Sequence, residues 1–498
     1  MRSLAARIRA TSWAVVVAPT LGAFLFSADT ISIQIANPAI GAALDTGLDG
    51  LQWAANGFLL PFCVFLVPMG TLADKLGPRR VLLAGIAVFA VGQLLGSFAQ
   101  SIEMLVAGRV LAGIGGAAMM PAGISALRLQ IPESRLVGAM AIWAAGAMGG
   151  VAAGGVASGL LLEVVSWRGV LWPLAGGAAI CFLISALTLE DRRAERVQQL
   201  KPVWSAGFAL GLAAVVWGLI RAGAKGWGSP DALVPIGVGL AAFAVTAVLA
   251  VPELRRTARD VDLPRVSMAF LAVIVSNFGI VSMSFFLSIW YQTVDGRSAL
   301  GAAVVLLPFY GLSAIAALFS GRLIARIGAA PSLLAGFVLQ LAGMAGISQL
   351  DATTSYGWQV GFLVLAGFGL AVTLTALAVV LLGAAPPDRG GLMSALQLTA
   401  NQVAAVLSIA LVGAVVASRA SARYADGLAA AGLAAAPAPE GLAQGGASVP
   451  GPQRSIADEA FSAAIGDGFL IGVAGIAVGL VLSLWLVRRM HAAAPHKS

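Results

Sequence analysis

The chain has 498 residues, of which 59% are hydrophobic and only 10% are charged, and its mean hydropathy is +0.93. A soluble protein of this length needs far more charge to cover its surface, so the composition indicates a membrane protein with many spans. The formal net charge of +8 could fit nucleic-acid binding, but the basic residues lie in short segments between apolar runs, and we expect no nucleic-acid partner.

Fourteen apolar segments of about 20 residues, the length that crosses a bilayer, predict an all-α polytopic membrane fold. The first segment follows Arg2, Arg7 and Arg9. It is too long for a signal peptide, so we expect an uncleaved span. The predicted spans are 13–37, 51–72, 80–100, 104–124, 136–162, 169–189, 203–221, 232–252, 266–291, 299–319, 330–350, 357–383, 391–417 and 463–487.

The basic residues predict the orientation of these spans. Of the 30 Lys and Arg residues, seven fall in loops predicted to be outside and Arg109 falls inside a span, which leaves 22 in segments predicted to be cytoplasmic. A miscounted span would invert every later loop, so this bias supports the count and places both termini in the cytoplasm. The high Ala and Arg content is typical of a GC-rich bacterial genome, and we expect the inner (cytoplasmic) membrane of a bacterium.

Charged loops at 190–202 and 252–265 bracket the seventh and eighth spans and predict a 6+2+6 layout. The predicted parts are a cytoplasmic N-terminus at 1–12, a six-helix bundle at 13–189, a linker with two extra helices at 190–265, a second six-helix bundle at 266–487 and a cytoplasmic tail at 488–498. The segment 418–462, rich in Ala, Gly and Pro, is predicted to be a poorly ordered extracytoplasmic loop. A tolerated insertion is the expected reading, and a gating or partner role is the alternative.

Asp29 is the one acidic residue, of 22, that lies well inside a predicted span, and Arg109 is the one cation there. Both lie about 10–12 Å below the outer boundary at 1.5 Å per residue, so they can form a charge pair. Burial favours the neutral acid and a nearby cation favours the carboxylate, so Asp29 is a candidate for binding and releasing a proton. Purely structural roles for Asp29 and Arg109 are the alternatives.

Other energy sources and sites find little support in the sequence. No phosphate-binding loop of the G-x-x-x-x-G-K-[ST] type occurs, so ATP is not expected to drive this chain. No cluster of oxygen ligands favours sodium, which leaves a proton gradient. Both histidines, His491 and His496, lie in the C-terminal tail and both cysteines lie in apolar runs, so we expect no metal site, disulfide or cofactor.

The segment from Gly70 to Arg80, Gly-Thr-Leu-Ala-Asp-Lys-Leu-Gly-Pro-Arg-Arg, resembles the cytoplasmic loop signature of the major facilitator superfamily. In that family the loop joins the second and third spans of a secondary transporter. The resemblance implies a gating role for Gly70, Asp74, Gly77, Arg79 and Arg80. Asp74 is expected to stabilise a helix N-terminus or to pair with a cation such as Arg128, and a loop that only determines topology is the alternative. Gly321–Gly328 is a weaker echo of this loop without the Asp, as expected for a transporter built from repeats.

Two further spans resemble motifs of the same superfamily. The stretch from Leu105 to Ala117 resembles the fourth-span pattern that contains Arg109 and is implicated in proton transfer, although the usual Gln is Ala112 here. The fifth span resembles the glycine-rich antiporter motif, with the family's Pro replaced by Val151. Simple helix packing through small residues is the alternative. The motif glycines are Gly146, Gly150, Gly154 and Gly155.

Dispersed matches extend the resemblance from about residue 20 to 415, and they are most similar to the drug:proton antiporters with fourteen spans. The resemblance implies a monomeric transporter in the lipid bilayer that exports hydrophobic or amphipathic small molecules, including cationic ones, in exchange for protons by alternating access. A narrow-specificity exporter of a metabolite or lipid, or a proton symporter, is the first alternative. A membrane-embedded enzyme or sensor is disfavoured, because only two ionised residues lie inside spans. The candidate cavity residues are Gln34, Trp53, Asn56, Met119, Trp143, Asn277, Trp290, Gln292, Gln397 and Asn401.

Overall fold

The computed structural model describes residues 12–192, 202–257, 261–351, 355–386, 390–433, 442, 451 and 453–492. Within these ranges the chain forms fourteen helices that are long and apolar enough to cross a membrane, and no strand. They are α1 (Ser12–Leu44), α2 (Leu48–Leu76), α3 (Pro78–Ser97), α4 (Ile102–Gln130), α5 (Glu133–Val164), α6 (Leu171–Thr188), α7 (Pro202–Lys225), α8 (Pro230–Thr257), α9 (Leu263–Thr293), α10 (Ala299–Ile327), α11 (Ala329–Ile347), α12 (Tyr356–Leu382), α13 (Gly390–Ala430) and α14 (Gln453–Ala492), with a short 3₁₀ helix at Trp167–Val170 before α6.

The predicted fold class and the number and order of the spans are confirmed, since each predicted span overlaps one helix. Local sequence defines several helix starts. The Ser101 hydroxyl accepts a hydrogen bond from the Met104 backbone N–H at the start of α4, and Pro78 occupies the first turn of α3. In an apolar environment a helix is favoured because it satisfies its backbone hydrogen bonds internally.

The segment from 418 to 462 differs from its prediction. Helix α13 continues to Ala430 and α14 begins at Gln453, so the predicted loop is helical at both ends. The extension of α13 packs against α14: the hydroxyl of Tyr424, a buried residue, lies 3.4 Å from Gln453 Oε1, and Arg423 forms an ion pair of 2.8 Å with Asp467. The abundant alanine that reads as low complexity is also the strongest helix former. Residues 434–441 and 443–450 lie outside the described residues.

The chain divides into two compact units. The first comprises Met1–Thr46, Gly50–Ala213 and Arg297–Val304, and the second comprises Gly47–Asp49, Ala214–Gly296 and Val305–Ser498. The first therefore holds most of α1–α6, and the second holds α8, α9 and α11–α14. In the second unit Ala222, Ala232 and Ala414 form a small buried cluster, which packs the hairpin of α7 and α8 against α13. The 6+2+6 layout stays a prediction.

Glycine allows the closest helix contacts in the first unit. A Cβ at Gly150 would lie 2.2 Å from the carbonyl oxygen of Phe24, and one at Gly154 would lie 2.6 Å from Ala28 Cα. Helices α3 and α4 approach equally closely at Gly92, where a Cβ would lie 2.4 Å from the Ala112 nitrogen. Small residues thus bring α1 to α5 and α3 to α4 backbone to backbone, as is typical of helix packing in lipid.

The α1–α5 contact gives a test with a matched control. We expect Gly150→Ala to lower the free energy of unfolding by about 1–3 kcal/mol, because the new methyl group meets backbone that cannot move aside. Gly149→Ala makes the same change in helix propensity, and its Cβ would meet only Phe24 at 4.0 Å. Thermal unfolding of both variants in detergent checks this, and equal midpoints would contradict the close contact.

Candidate functional site

The structure brings Asp29 of α1 and Arg109 of α4 together in the interior of the first unit. Arg109 Nη1 lies 2.6 Å from Asp29 Oδ1, and the two side chains are 3% and 0% exposed. A buried ion pair of this kind is stable only when the charged atoms also find further partners, because removing two charges from water costs several kcal/mol per ion. The remaining contacts of the pair are therefore informative.

The guanidinium of Arg109 has partners on a third helix. Its Nε donates a hydrogen bond of 3.1 Å to the carbonyl oxygen of Ala54 in α2, and its Cζ lies 4.5 Å from the centre of the Phe58 ring. A cation over an aromatic face is stabilised by the ring quadrupole, most strongly where water is excluded. Arg109 thus links α4 to α1 and α2 at one level of the bundle.

Gln93 of α3 is a member of this site that the sequence reasoning missed. Its Nε2 donates a hydrogen bond of 3.0 Å to Asp29 Oδ1, the oxygen that Arg109 also contacts, and the side chain is 1% exposed. The other oxygen, Oδ2, is buried and has no hydrogen-bond partner in the described part of the chain. The available signal was an amide in the middle of an apolar run, because burying one without a partner is costly.

The segment next to Asp29 is attached to α5. The Ser32 hydroxyl donates a hydrogen bond of 2.6 Å to the Ala28 carbonyl oxygen. The Ser158 hydroxyl of α5 in turn donates a hydrogen bond of 2.7 Å to the Ser32 hydroxyl oxygen. The predicted motif glycines Gly146, Gly150 and Gly154 all face α1 at close range, whereas Gly155 makes an ordinary contact of 3.6 Å with Ile31. With Val151 in place of the family's Pro, α5 is one continuous helix from Glu133 to Val164.

The predicted gating segment is mostly helical. Gly70–Leu76 form the end of α2 and α3 begins at Pro78, so Gly77 alone makes the turn, with φ at +98°. Only glycine adopts this conformation without strain. Gly70 lies within α2, where an added Cβ would make an ordinary contact of 3.5 Å with Pro121 of α4.

The side chain that contacts Asp74 belongs to a serine of α4. Asp74 Oδ1 accepts a hydrogen bond of 3.0 Å from the Ser125 hydroxyl, one turn before Arg128 on α4. Arg128 is exposed, and no ion pair between it and Asp74 occurs in the part of the chain that the structure describes. Ser125 lies on the face of α4 that is turned toward α2. Its position along the helix, rather than its charge, therefore makes it the neighbour of Asp74.

The arginines at positions 79 and 80 contact the last turn of α6 and the segment that follows it. Arg79 Nη2 donates a hydrogen bond of 2.9 Å to the Ala186 carbonyl oxygen, and Arg80 forms an ion pair of 2.6 Å with Asp191. The Arg80 side chain is 58% exposed, so this pair contributes little stability. The contacts fix the Gly77 end of α3 to the end of α6.

The candidate cavity residues of the first unit divide by burial. Gln34, Asn56 and Met119 are buried, whereas Trp53 and Trp143 are half-buried. Neither polar atom of the Asn56 side chain has a hydrogen-bond partner in the described residues. An unpartnered amide in the interior is the feature expected of a group that meets a ligand or water.

The second-unit candidates are engaged with neighbouring protein groups. The Asn277 amide donates to Asn401 Oδ1 at 3.0 Å, and the indole of the fully buried Trp290 donates to the Ser462 hydroxyl at 2.9 Å. Gln292 and Gln397 donate to backbone carbonyls at 3.0 and 2.9 Å. The hydrogen bond of Gln292 stays within α9, whereas those of Asn277, Trp290 and Gln397 join different helices of this unit.

The known proteins of similar sequence include several that are named as resistance, export or efflux proteins. The chain is 32% identical over 419 residues to the tetracenomycin C resistance and export protein of Streptomyces glaucescens, covering 83% of this chain and 78% of that protein. It is 28% identical over 409 residues to the multidrug resistance protein Stp of Mycobacterium tuberculosis (strain CDC 1551 / Oshkosh), covering 81% and 75%. The multidrug efflux pump LfrA of Mycolicibacterium smegmatis is 29% identical over 422 residues, covering 81% of each chain.

The fold matches solved transporters of low sequence identity. A bacterial homologue of the human lysosomal transporter Spinster superposes with a TM-score of 0.67 at 16% identity, covering 98% of this chain and 99% of that one. The family model of the Major Facilitator Superfamily matches residues 20–409. The chain belongs to the major facilitator superfamily, and it is a multi-pass membrane transport protein rather than an enzyme.

Proposed function

We propose that this transporter exports hydrophobic or amphipathic small molecules, including cationic ones, in exchange for protons. The observation that carries the proton coupling is the buried ion pair of Asp29 and Arg109. The relatives described above are named as resistance, export or efflux proteins, which supports export of drug-like molecules. Binding and coupling involve no cofactor in this proposal, and the transporting form is a monomer.

Protonation of Asp29 is the step that links the gradient to movement. A proton on the carboxylate removes the charge that holds Arg109, and breaking one side of a buried pair costs about 3–5 kcal/mol. Shifting a two-state equilibrium from 1:99 to 99:1 needs about 5.5 kcal/mol, so one protonation supplies much of the required difference. Asp29 and Arg109 are thus the coupling residues, and alternating access follows from the change in how α1, α2 and α4 are joined.

Orientation follows from charge. The end of the first unit that carries Gly77 holds Lys75, Arg79 and Arg80, and basic loops stay in the cytoplasm. We therefore place this end and both termini in the cytoplasm of a bacterium, with Asp74 and Ser125 as part of the gate there. The tertiary contact between them joins α2 to α4, so it must change if the two helices move apart.

A narrow-specificity exporter of a metabolite or lipid, or a proton symporter, is the second candidate. Val151 supports this second candidate, because the antiporter motif that α5 resembles has a proline at this position, whereas α5 is unbroken here. Dye that moves opposite to an imposed proton flow, in a manner that a protonophore abolishes, indicates exchange for protons, whereas dye that moves with the protons indicates symport.

The first test is ΔpH-driven dye export in proteoliposomes by wild type and Asp29→Asn. We expect the variant to bind dye but to lose export by tenfold or more, because its amide cannot take up a proton. Asp231→Asn is the matched control, since Asp231 is an exposed carboxylate that pairs with Lys225 at the surface. Wild-type export by Asp29→Asn would make Asp29 structural.

The gate is tested by comparing Ser125→Ala with Arg128→Ala. We expect Ser125→Ala to slow export by roughly tenfold, because hydrogen bonds to charged groups contribute about 1.5–3 kcal/mol, and dye affinity should stay unchanged. Arg128→Ala should export at the wild-type rate, since Arg128 does not contact Asp74. Stopped-flow dye efflux measures both, and the opposite ranking would restore Arg128 as the partner.

A further inference from the structure

We propose that Gln93 is the positioning residue of the coupling site: it holds Asp29 Oδ1 together with Arg109, directs the proton to Oδ2 and sets the pH range over which Asp29 titrates. This inference rests on the proposed function in one respect, namely that the titration of Asp29 is what drives transport. The assignment of Gln93 to the site itself stands on the geometry of the buried residues.

Two donors converge on one oxygen. Gln93 Nε2 lies 3.0 Å and Arg109 Nη1 lies 2.6 Å from Oδ1, so this oxygen accepts two hydrogen bonds. Oδ2 is buried and accepts none from the described residues. A carboxylate oxygen that already accepts two donors is the less basic of the pair, so an incoming proton binds Oδ2.

The two donors are held at a fixed spacing by the contact of α3 with α4. Gly92 precedes Gln93 and Gly108 precedes Arg109, and these two glycines face each other. A Cβ at Gly92 would lie 2.6 Å from the Gly108 carbonyl oxygen, and one at Gly108 would lie 2.8 Å from the Gly92 carbonyl oxygen. The amide and the guanidinium therefore form one rigid pair of donors, and Asp29 meets it from a different helix.

Arg109 is the charged group that faces Asp29. Asp29 is the only acidic or basic residue of α1, α3 is charged only at Arg79 and Arg80 in its first turn, and α6 contains no charged residue. The other charged residues of α2, α4 and α5 lie near their helix ends, and Arg168 of the 3₁₀ helix donates to the Ala99 carbonyl. Cys63 and Cys181 are the buried thiols on α2 and α6, and Cys181 lies 3.5 Å from the Ala18 carbonyl oxygen. Gln93 is thus the one neutral partner through which α3 acts on Asp29.

The second unit offers a natural comparison. Gln340 of α11 is fully buried and bonds the Ser276 hydroxyl of α9, with Nε2 to Oγ at 3.0 Å. Helix α11 packs against α12 much as α3 packs against α4, with a Cβ at Gly343 2.4 Å from the Ala366 nitrogen. Gln340 is therefore a buried glutamine like Gln93, but its partner is a neutral serine and not a carboxylate. This makes Gln340 the matched control.

The test is an infrared pH titration of the Asp29 carboxyl C=O band in purified full-length protein, identified by its loss in Asp29→Asn. This measurement needs no transport substrate. Gln93→Met removes the donor at nearly constant length, and we expect its titration midpoint to lie about one pH unit above that of wild type. The reason is that a hydrogen bond to the ionised form favours that form. Gln340→Met should titrate as wild type does.

The outcomes separate the inference from the proposed function. A wild-type midpoint in Gln93→Met, or an equal shift in Gln340→Met, overturns the role of Gln93 whatever the protein transports. If Gln93→Met does not fold, Gln93→Asn is used; its shorter amide cannot reach Oδ1 at the same distance, and an unshifted midpoint again overturns the proposal. A shifted midpoint in a protein without ΔpH-driven export would support Gln93 and sink the proton-coupled function.

Discussion

The ion pair of Asp29 and Arg109 is the constraint on which the first unit depends, because neither charge can remain alone in the interior. Each needs the other, and each also needs neutral partners to offset lost hydration. Gln93, the Ala54 carbonyl and the Phe58 ring supply those partners from α3 and α2. Four helices are therefore joined at one point, and the free energy of that point depends on whether a single oxygen carries a proton.

Close packing makes this arrangement precise. Glycines on α5 allow α1 to approach within backbone contact, and glycines on α3 and α4 do the same beside the two donors. In lipid, where no hydrophobic effect drives helices together, such contacts and buried hydrogen bonds are the main cohesive terms. The glycine-rich stretch of α5 consequently has a packing role here whatever its role in transport, and its lack of a proline leaves the helix unbroken.

Sequence reasoning succeeded where a residue type has only one favourable environment in the bilayer. Apolar runs of sufficient length become spans, and the lone acid and the lone cation inside them form a pair. It was less accurate where the contacts of a residue depend on helices that are distant in the sequence. Asp74 contacts a serine because of how α2 and α4 face each other, and the ends of segment 418–462 are helical and bury Tyr424 and Phe461. Gln93 was missed because an amide in an apolar run indicates that a partner exists but not which residue it is.

The sequence by itself determined the fold class, the fourteen spans and the identity of the two charged residues inside them, because the bilayer imposes length and polarity one segment at a time. Membership of the major facilitator superfamily also follows from linear motifs. Only the tertiary structure decided which oxygen of Asp29 is held, by which amide, and which side chain meets Asp74. Those choices depend on helix rotation and separation to within about an ångström, which are properties of packing between segments distant in the chain.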